Sequence, residues 1–253
     1  MEKNNLFGMH VNIGKYNEYA DEVIVRALAN ESDYACVANV HMLIETYRNS
    51  SFANTVNEAS VIAPDGKPIT WALRFLHGIK QERVAGMELL PDLLKLAEEK
   101  RVPVFFYGGS EEMMAKAEPE LKKKFRDLQI AGTYSPPFRQ LTTEEEAAVV
   151  DRINQSGAKL VFVILGCPKQ EKWMAAMKGR VQAFMIGVGG ALPVLLGMQK
   201  RAPKWMQKAG LEWLHRLSQE PGRLFKRYAV TNSLFLYLFF KAYLRKKILY
   251  PAS

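Results

Sequence analysis

Short apolar runs alternate with segments of helical period along most of the chain, and this constrains the fold more than any other feature. The runs are 34–40 (YACVANV), 60–64 (SVIAP), 102–108 (VPVFFYG), 128–134 (LQIAGTY), 159–166 (KLVFVILG) and 182–189 (QAFMIGVG). Helical periodicity covers 16–30, 41–50, 67–77, 87–100, 111–126, 142–155 and 169–179. A strand that is apolar on both sides must be covered on both faces, and intervening helices supply that cover. The expected class is therefore α/β, a Rossmann-like parallel sheet flanked by helices.

Ligands of open parallel sheets lie beyond the carboxyl ends of the strands. Several strand ends here carry small residues: Gly108-Gly109, Gly132-Thr133, Gly166-Cys167 and Gly187-Val188-Gly189-Gly190. Glycines there let backbone amides approach phosphates, so "GVGG" ahead of a helix is a candidate anion cradle. No G-x-G-x-x-G follows the first of these runs, and no G-x-x-x-x-G-K-[ST] occurs, so neither a dinucleotide dehydrogenase nor a P-loop NTPase is supported. His10, His41, His77 and His215 are scattered, and Cys36 and Cys167 are too few for a structural zinc site, so no metal ligand set is expected. In "SVIAPDGKPITW" a strand stops at Pro64 and leaves Asp65 on a glycine turn before a helix. That aspartate is either turn punctuation or a carboxylate held at the mouth of the sheet.

The formal charge of +9 is concentrated at one end. Residues 198–253 hold 12 Lys+Arg and 2 Asp+Glu, a balance of +10, so residues 1–197 hold 23 and 24, a balance of −1. Pro203 suits the first turn of a helix running to about Ser218, which Pro221-Gly222 breaks before a second helix. "LFLYLFF" is interrupted by Lys241 and is too short to span a bilayer, which needs about 20 apolar residues. Aromatic residues among Lys and Arg suit the headgroup boundary of an anionic membrane. The alternatives are a helix docked on the body or on another subunit, and a nucleic-acid-binding tail. The unbroken apolar stretch argues against nucleic acid. The first residues carry no secretory apolar region, so a cytoplasmic setting is expected.

A family resemblance rests on "CVANVHM" around Asn39, "APDGKP" around Asp65, "RVAG" at 83–86, "GCPKQE" at 166–171, "GVGG" at 187–190 and "KRAPKWMQKAGLEWLHRL" from Lys200. These motifs, in this order over residues 8–230, resemble the WecG/TagA/CpsF glycosyltransferases. The resemblance implies an inverting, metal-independent enzyme without a cofactor. Such an enzyme moves a hexose or N-acetylhexosamine (UDP-glucose or UDP-N-acetylmannosamine class) to a polyprenyl-diphosphate-linked saccharide. The setting would be exopolysaccharide or cell-wall synthesis at the cytoplasmic face of the bacterial inner membrane. It implies Asp65 as general base, Arg83 beside it, and Asn39 and Gln170 on the sugar or nucleotide. Gly108, Gly109, Gly187, Val188, Gly189 and Gly190 would line the UDP site, and Arg216, Arg223 and Arg227 would meet the leaving diphosphate. Lys169 and Glu171 read as first-turn surface residues. Where many members carry an aromatic-Asp pair after "GVG", this chain has Leu192-Pro193, which leaves the donor sugar open.

The implied organisation is an N-terminal α/β part (1–80) with acceptor and catalytic residues, a Rossmann-like nucleotide-sugar part (81–200) and a basic helical membrane-associating appendage (201–253). The expected partners are a UDP-sugar, a polyprenyl-diphosphate-linked saccharide and an anionic membrane met by residues 222–253, with no nucleic acid. Apolar surface on the tail would also serve a homo-oligomer. The competing reading is a non-catalytic nucleotide-sugar-binding regulator of a membrane synthase.

Overall fold

All six apolar runs become strands of one sheet. The computed structural model describes residues 1–249. Residues 250–253, which end the expected membrane-facing segment, lie outside the described residues. The chain begins with β1 (Glu2–Leu6), β2 (Met9–Ile13), α1 (Tyr16–Leu28), β3 (Tyr34–Ala38), α2 (Val40–Arg48), α3 (Ser50–Asn57), β4 (Val61–Pro64) and α4 (Lys67–His77). It continues through α5 (Gly86–Glu99), β5 (Val104–Gly108), α6 (Glu111–Lys124), β6 (Ile130–Tyr134), α7 (Thr143–Gln155), β7 (Leu160–Ile164), α8 (Lys169–Met177), β8 (Phe184–Gly187) and α9 (Ala191–Leu195). The tail is α10 (Lys204–Ala209), α11 (Glu212–Gln219) and α12 (Pro221–Leu249).

The sheet order is β4-β3-β8-β7-β5-β6, with every pair parallel. The chain moves outward from β3 to β4 on one edge, then crosses to the other half for β5 and β6. That reversal leaves a crevice at the carboxyl ends of the central strands. Because β3 pairs with β8, residues 1–80 and 81–200 share this sheet. Successive side chains point to opposite faces and feed two cores. Tyr34, Cys36 and Ala38 join α2, α3, α4 and α8 on one face. Ala35 and Val37 join α1, α5 and α6 on the other.

Three elements differ from the expectations. β1 and β2 form an antiparallel hairpin whose turn residues, Phe7 and Gly8, both have positive φ, +51° and +92°. Its strands are short and mix polar and apolar residues, so they give no apolar run. The helix expected over 41–50 ends at Arg48, and Asn49 then caps α3 by accepting a 3.0 Å hydrogen bond from Phe52 N–H. The single helix expected from Pro203 to Ser218 is split into α10 and α11 at Gly210, whose φ of +75° ends the first.

The tail is docked on the body. α12 lies along α2 and α4 and buries Leu224, Phe235 and Leu238. Each such burial is worth about 1.5–3 kcal/mol. Phe75 of α4 meets Phe239 and Tyr243 edge-on, with ring centroids 6.2 and 6.3 Å apart. Lys246 Nζ donates to the Leu76 and Phe75 carbonyls at 2.9 and 3.3 Å, meeting the C-terminal end of α4 where a cation is favoured. Among the described residues no helix is long and apolar enough to cross a membrane.

Candidate active site

A cleft of about 700 Å³ opens at the carboxyl ends of the central strands, roofed by α11 and the start of α12. Most of the residues singled out from the sequence meet there.

β4 ends at Pro64, and the next residue is fixed from two sides. Asp65 N–H donates to the Ala38 carbonyl at 2.8 Å, and Val84 N–H donates to the Pro64 carbonyl at 2.9 Å. Gly66, with φ of +93°, turns the chain into α4, and Pro68 occupies the first turn. Asp65 is thereby held in the cleft wall, recessed among protein but open to the cleft. Burial raises its carboxyl to about pH 7, opposed by Arg216 and Arg83 and reinforced by Glu212 and Glu88.

Asn39 follows the last residue of β3 and caps α2, its Oδ1 accepting from Met42 N–H at 3.2 Å. Its amide nitrogen is then free for the cleft, which it lines. Arg83 is no solvated loop charge. It is 13% exposed, donates through Nη2 to Glu88 Oε1 at 2.8 Å, and pairs through Nη1 with Glu212 Oε2. Gln170 is buried in the wall, its Oε1 accepting from Gly166 N–H at 3.1 Å.

The strand-end glycines serve packing more than amide donation. A Cβ on Gly187 would lie 2.6 Å from Gln170 Nε2, and one on Gly189 3.3 Å from Gln170 Oε1. The Val188 and Gly189 N–H groups both donate to the Val163 carbonyl, at 3.0 and 3.3 Å, and Gly109 N–H donates to Ile164 O at 2.9 Å. Those three amides are committed to the fold, whereas Gly190 lines the cleft and its N–H has no backbone acceptor among the described residues. Gly108 lies outside the cleft wall, and its Cβ would strike the Ile164 carbonyl at 2.6 Å. Gly132 falls inside β6 against the Phe105 ring, not at a strand end.

An anion in the cleft would also meet the tail arginines. Arg216, Arg223 and Arg227 all line it. Arg216 sits over "GVGG", its Nη2 being 3.2 Å from a Cβ built on Gly190. Arg223 is largely exposed and held by Glu220, 2.5 Å from its Nε. Leu192 is buried in the core and Pro193 lines the cleft, so this stretch offers a ligand no carboxylate. Among the described residues no cluster of three or more metal-ligating side chains occurs.

Sequence reasoning missed three residues. Glu171 is fully buried and not on the surface, and burial raises its carboxyl to about pH 7. His41 lines the cleft with both ring nitrogens buried and without a hydrogen bond, Nδ1 lying 3.8 Å from Glu45 Oε1, and burial, then Arg227, lowers its pKa. Glu212 anchors Arg83 from 129 residues away, and no local signal announces so distant a pairing.

The chain matches the family described as "Glycosyl transferase WecG/TagA/CpsF family" over residues 4–248. It is 32% identical over 195 residues to an "N-acetylglucosaminyldiphosphoundecaprenol N-acetyl-beta-D-mannosaminyltransferase" of Bacillus spizizenii, covering 77% of this chain and 74% of the relative. A parallel α/β sheet, a cleft at its carboxyl ends and a match across nearly the whole chain agree: this protein belongs to the WecG/TagA/CpsF family and is a glycosyltransferase.

Proposed function

We propose that the enzyme transfers a sugar from a UDP-sugar to a polyprenyl-diphosphate-linked saccharide with inversion, using Asp65 as general base. The observation that carries this reading is the gathering of Asp65, Arg83, Gln170 and Arg216 around one cleft. Asp65 takes the proton from the acceptor hydroxyl as that oxygen attacks the anomeric carbon. The bond to UDP breaks on the opposite face, and UDP leaves with the electron pair. A carboxyl poised near pH 7 is matched to this task. Charge growing on the departing diphosphate is met by Arg216, Arg223 and Arg227, and the reaction needs no metal or other cofactor. The relative's name supports N-acetylmannosamine as the sugar and N-acetylglucosaminyl-diphosphoundecaprenol as the acceptor. The Leu192-Pro193 stretch offers no carboxylate and leaves the donor sugar open, so glucose is the second donor to test.

The lipid-linked acceptor and the basic, aromatic α12 together support a peripheral position on the cytoplasmic face of the membrane. A UDP-release assay across a panel of UDP-sugars, with a short-chain polyprenyl-diphosphate N-acetylglucosamine acceptor, tests the reading. Acceptor-dependent UDP release with N-acetylmannosamine or glucose donors is expected. Equal release with and without acceptor would overturn it.

A further inference from the structure

Gln170 has a neighbour that the mechanism leaves unused. Glu171 is 0% exposed. Its Oε1 accepts a 2.7 Å hydrogen bond from Gln170 Nε2, while its Oε2 is buried with no hydrogen-bond partner. Tyr34, Cys36 and Cys167 are the titratable groups around it, and of these the Cys167 thiol is a weak donor to the carboxyl. A carboxylate left half-satisfied in the interior is costly, and an apolar residue of similar size would avoid that cost. The carboxyl group is therefore explained by what it does to Gln170.

The Gln170 amide is gripped at both ends. Its oxygen accepts from Gly166 N–H at 3.1 Å, and its nitrogen donates to Glu171. Exchanging oxygen and nitrogen would set the NH2 group against the Gly166 N–H and the carbonyl oxygen against the carboxylate, so both contacts become repulsive. One orientation survives. The bare ends of Gly187 and Gly189 let this amide lie against the end of β8, in the cleft wall. One Nε2 hydrogen stays uncommitted.

We propose that Glu171 is a positioning residue: its buried carboxylate locks the Gln170 amide so that the spare Nε2 hydrogen is offered to the donor in the cleft. This rests on the reading of the cleft as a UDP-sugar site. A double-mutant cycle on the full chain tests it, using Glu171→Gln, Gln170→Ala and the pair, with donor KM, kcat and thermal midpoint measured for each. Glu171→Gln should raise donor KM about tenfold, yet change it less than twofold when Gln170 is already alanine. An unchanged KM in the single variant, or the same tenfold rise in both backgrounds, overturns the proposal.

If Glu171→Gln fails to fold, the wild type and Gln170→Ala suffice. Donor KM of the wild type should rise as pH falls through about 7 by more than in Gln170→Ala, and equal rises would refute the lock. A wild type without donor-dependent UDP release would remove the underlying reading, and this role with it.

Discussion

The Glu212 carboxylate pairs with the Arg83 guanidinium, joining the first residue of α11 to the loop before α5. Glu88 completes the contact, binding Arg83 at 2.8 Å and Arg201 of the tail at 3.0 Å. These charges also act on Asp65, where Arg216 and Arg83 favour the ionised form and Glu212 and Glu88 oppose it. The carboxyl proposed as general base is thus tuned from the body and the tail together. Docking of the appendage and acidity of the base are one electrostatic problem.

Replacing Asp65 separates chemistry from binding and from stability. Asp65→Asn should retain UDP affinity while transfer falls by about 100-fold or more. Its stability effect has a definite sign. The folded pKa, about 7, lies above the ordinary 3.8, so ionising Asp65 destabilises the fold progressively as pH rises toward 7. Asn removes that penalty, so the variant should melt a few degrees above the wild type at about pH 8, with the gain shrinking toward about pH 4. Calorimetric melts at the two pH values check this, and a lower midpoint at the higher pH would count against a destabilising ionised Asp65.

Glu212→Gln removes a negative charge that raises the Asp65 pKa and frees Arg83 to act on it more strongly. The acid limb of the kcat/KM profile, set by Asp65, should move to lower pH. A limb that stays in place would show that Asp65 does not govern it.

How much of this was legible follows from where each signal resides. β3, β4, β5, β7 and β8 were readable because a strand covered on both faces must be apolar throughout, while β6, half-buried at the sheet edge, showed only through its Ile130-Ala131 start and its spacing between helices. The β1–β2 hairpin was not readable, because its five-residue strands mix polar and apolar residues and give no continuous apolar run. Asp65 and Asn39 could be placed at the crevice because a strand end followed by a helix lies there, but their roles came from the family resemblance alone. Gly187 announced a close approach, but not that the approaching group is the Gln170 amide and not a phosphate. Glu171 looked like an exposed first-turn acid. Its burial depends on how α8 packs against β3 and β7, which local periodicity does not carry. Glu212 and Arg83 meet only because the tail folds back.

Arg216→Ala should lower kcat by about 10²-fold, the size of effect seen when a group stabilising transition-state charge is lost. The thermal midpoint should hardly move, since no core packing is removed. Deleting residues 201–253 is the blunter test. Leu224, Phe235 and Leu238 are buried against the body, so the deletion would expose core and cost stability as well as turnover. A kcat for Arg216→Ala within twofold of wild type would assign the diphosphate to other groups.

Chelation probes the same charge balance. With arginines meeting the diphosphate, turnover in excess EDTA should equal turnover in added Mg²⁺ within about twofold. A large loss on chelation, restored by a divalent cation, would give part of that charge to a metal.

The outer surface of α12 carries Leu236, Phe240, Leu244 and Ile248 at four-residue spacing, 50–78% exposed, although the opposite side of the same helix is docked. Four residues advance slightly more than one helical turn, so these side chains form one gently winding stripe. Lys241, Arg245 and Lys247 lie between them, and each basic residue near an anionic surface adds about 1 kcal/mol. This stripe is where α12 should enter the headgroup boundary. Wild-type protein is expected to float with anionic vesicles, and to float less in high salt because the basic contribution is screened. Phe240→Glu with Leu244→Glu places two carboxylates in the stripe without touching Phe235 or Leu238, so the fold should persist while flotation is lost. Activity on a water-soluble acceptor should survive in that variant, since neither residue lines the cleft. Flotation equal to wild type would move the membrane contact elsewhere on the molecule.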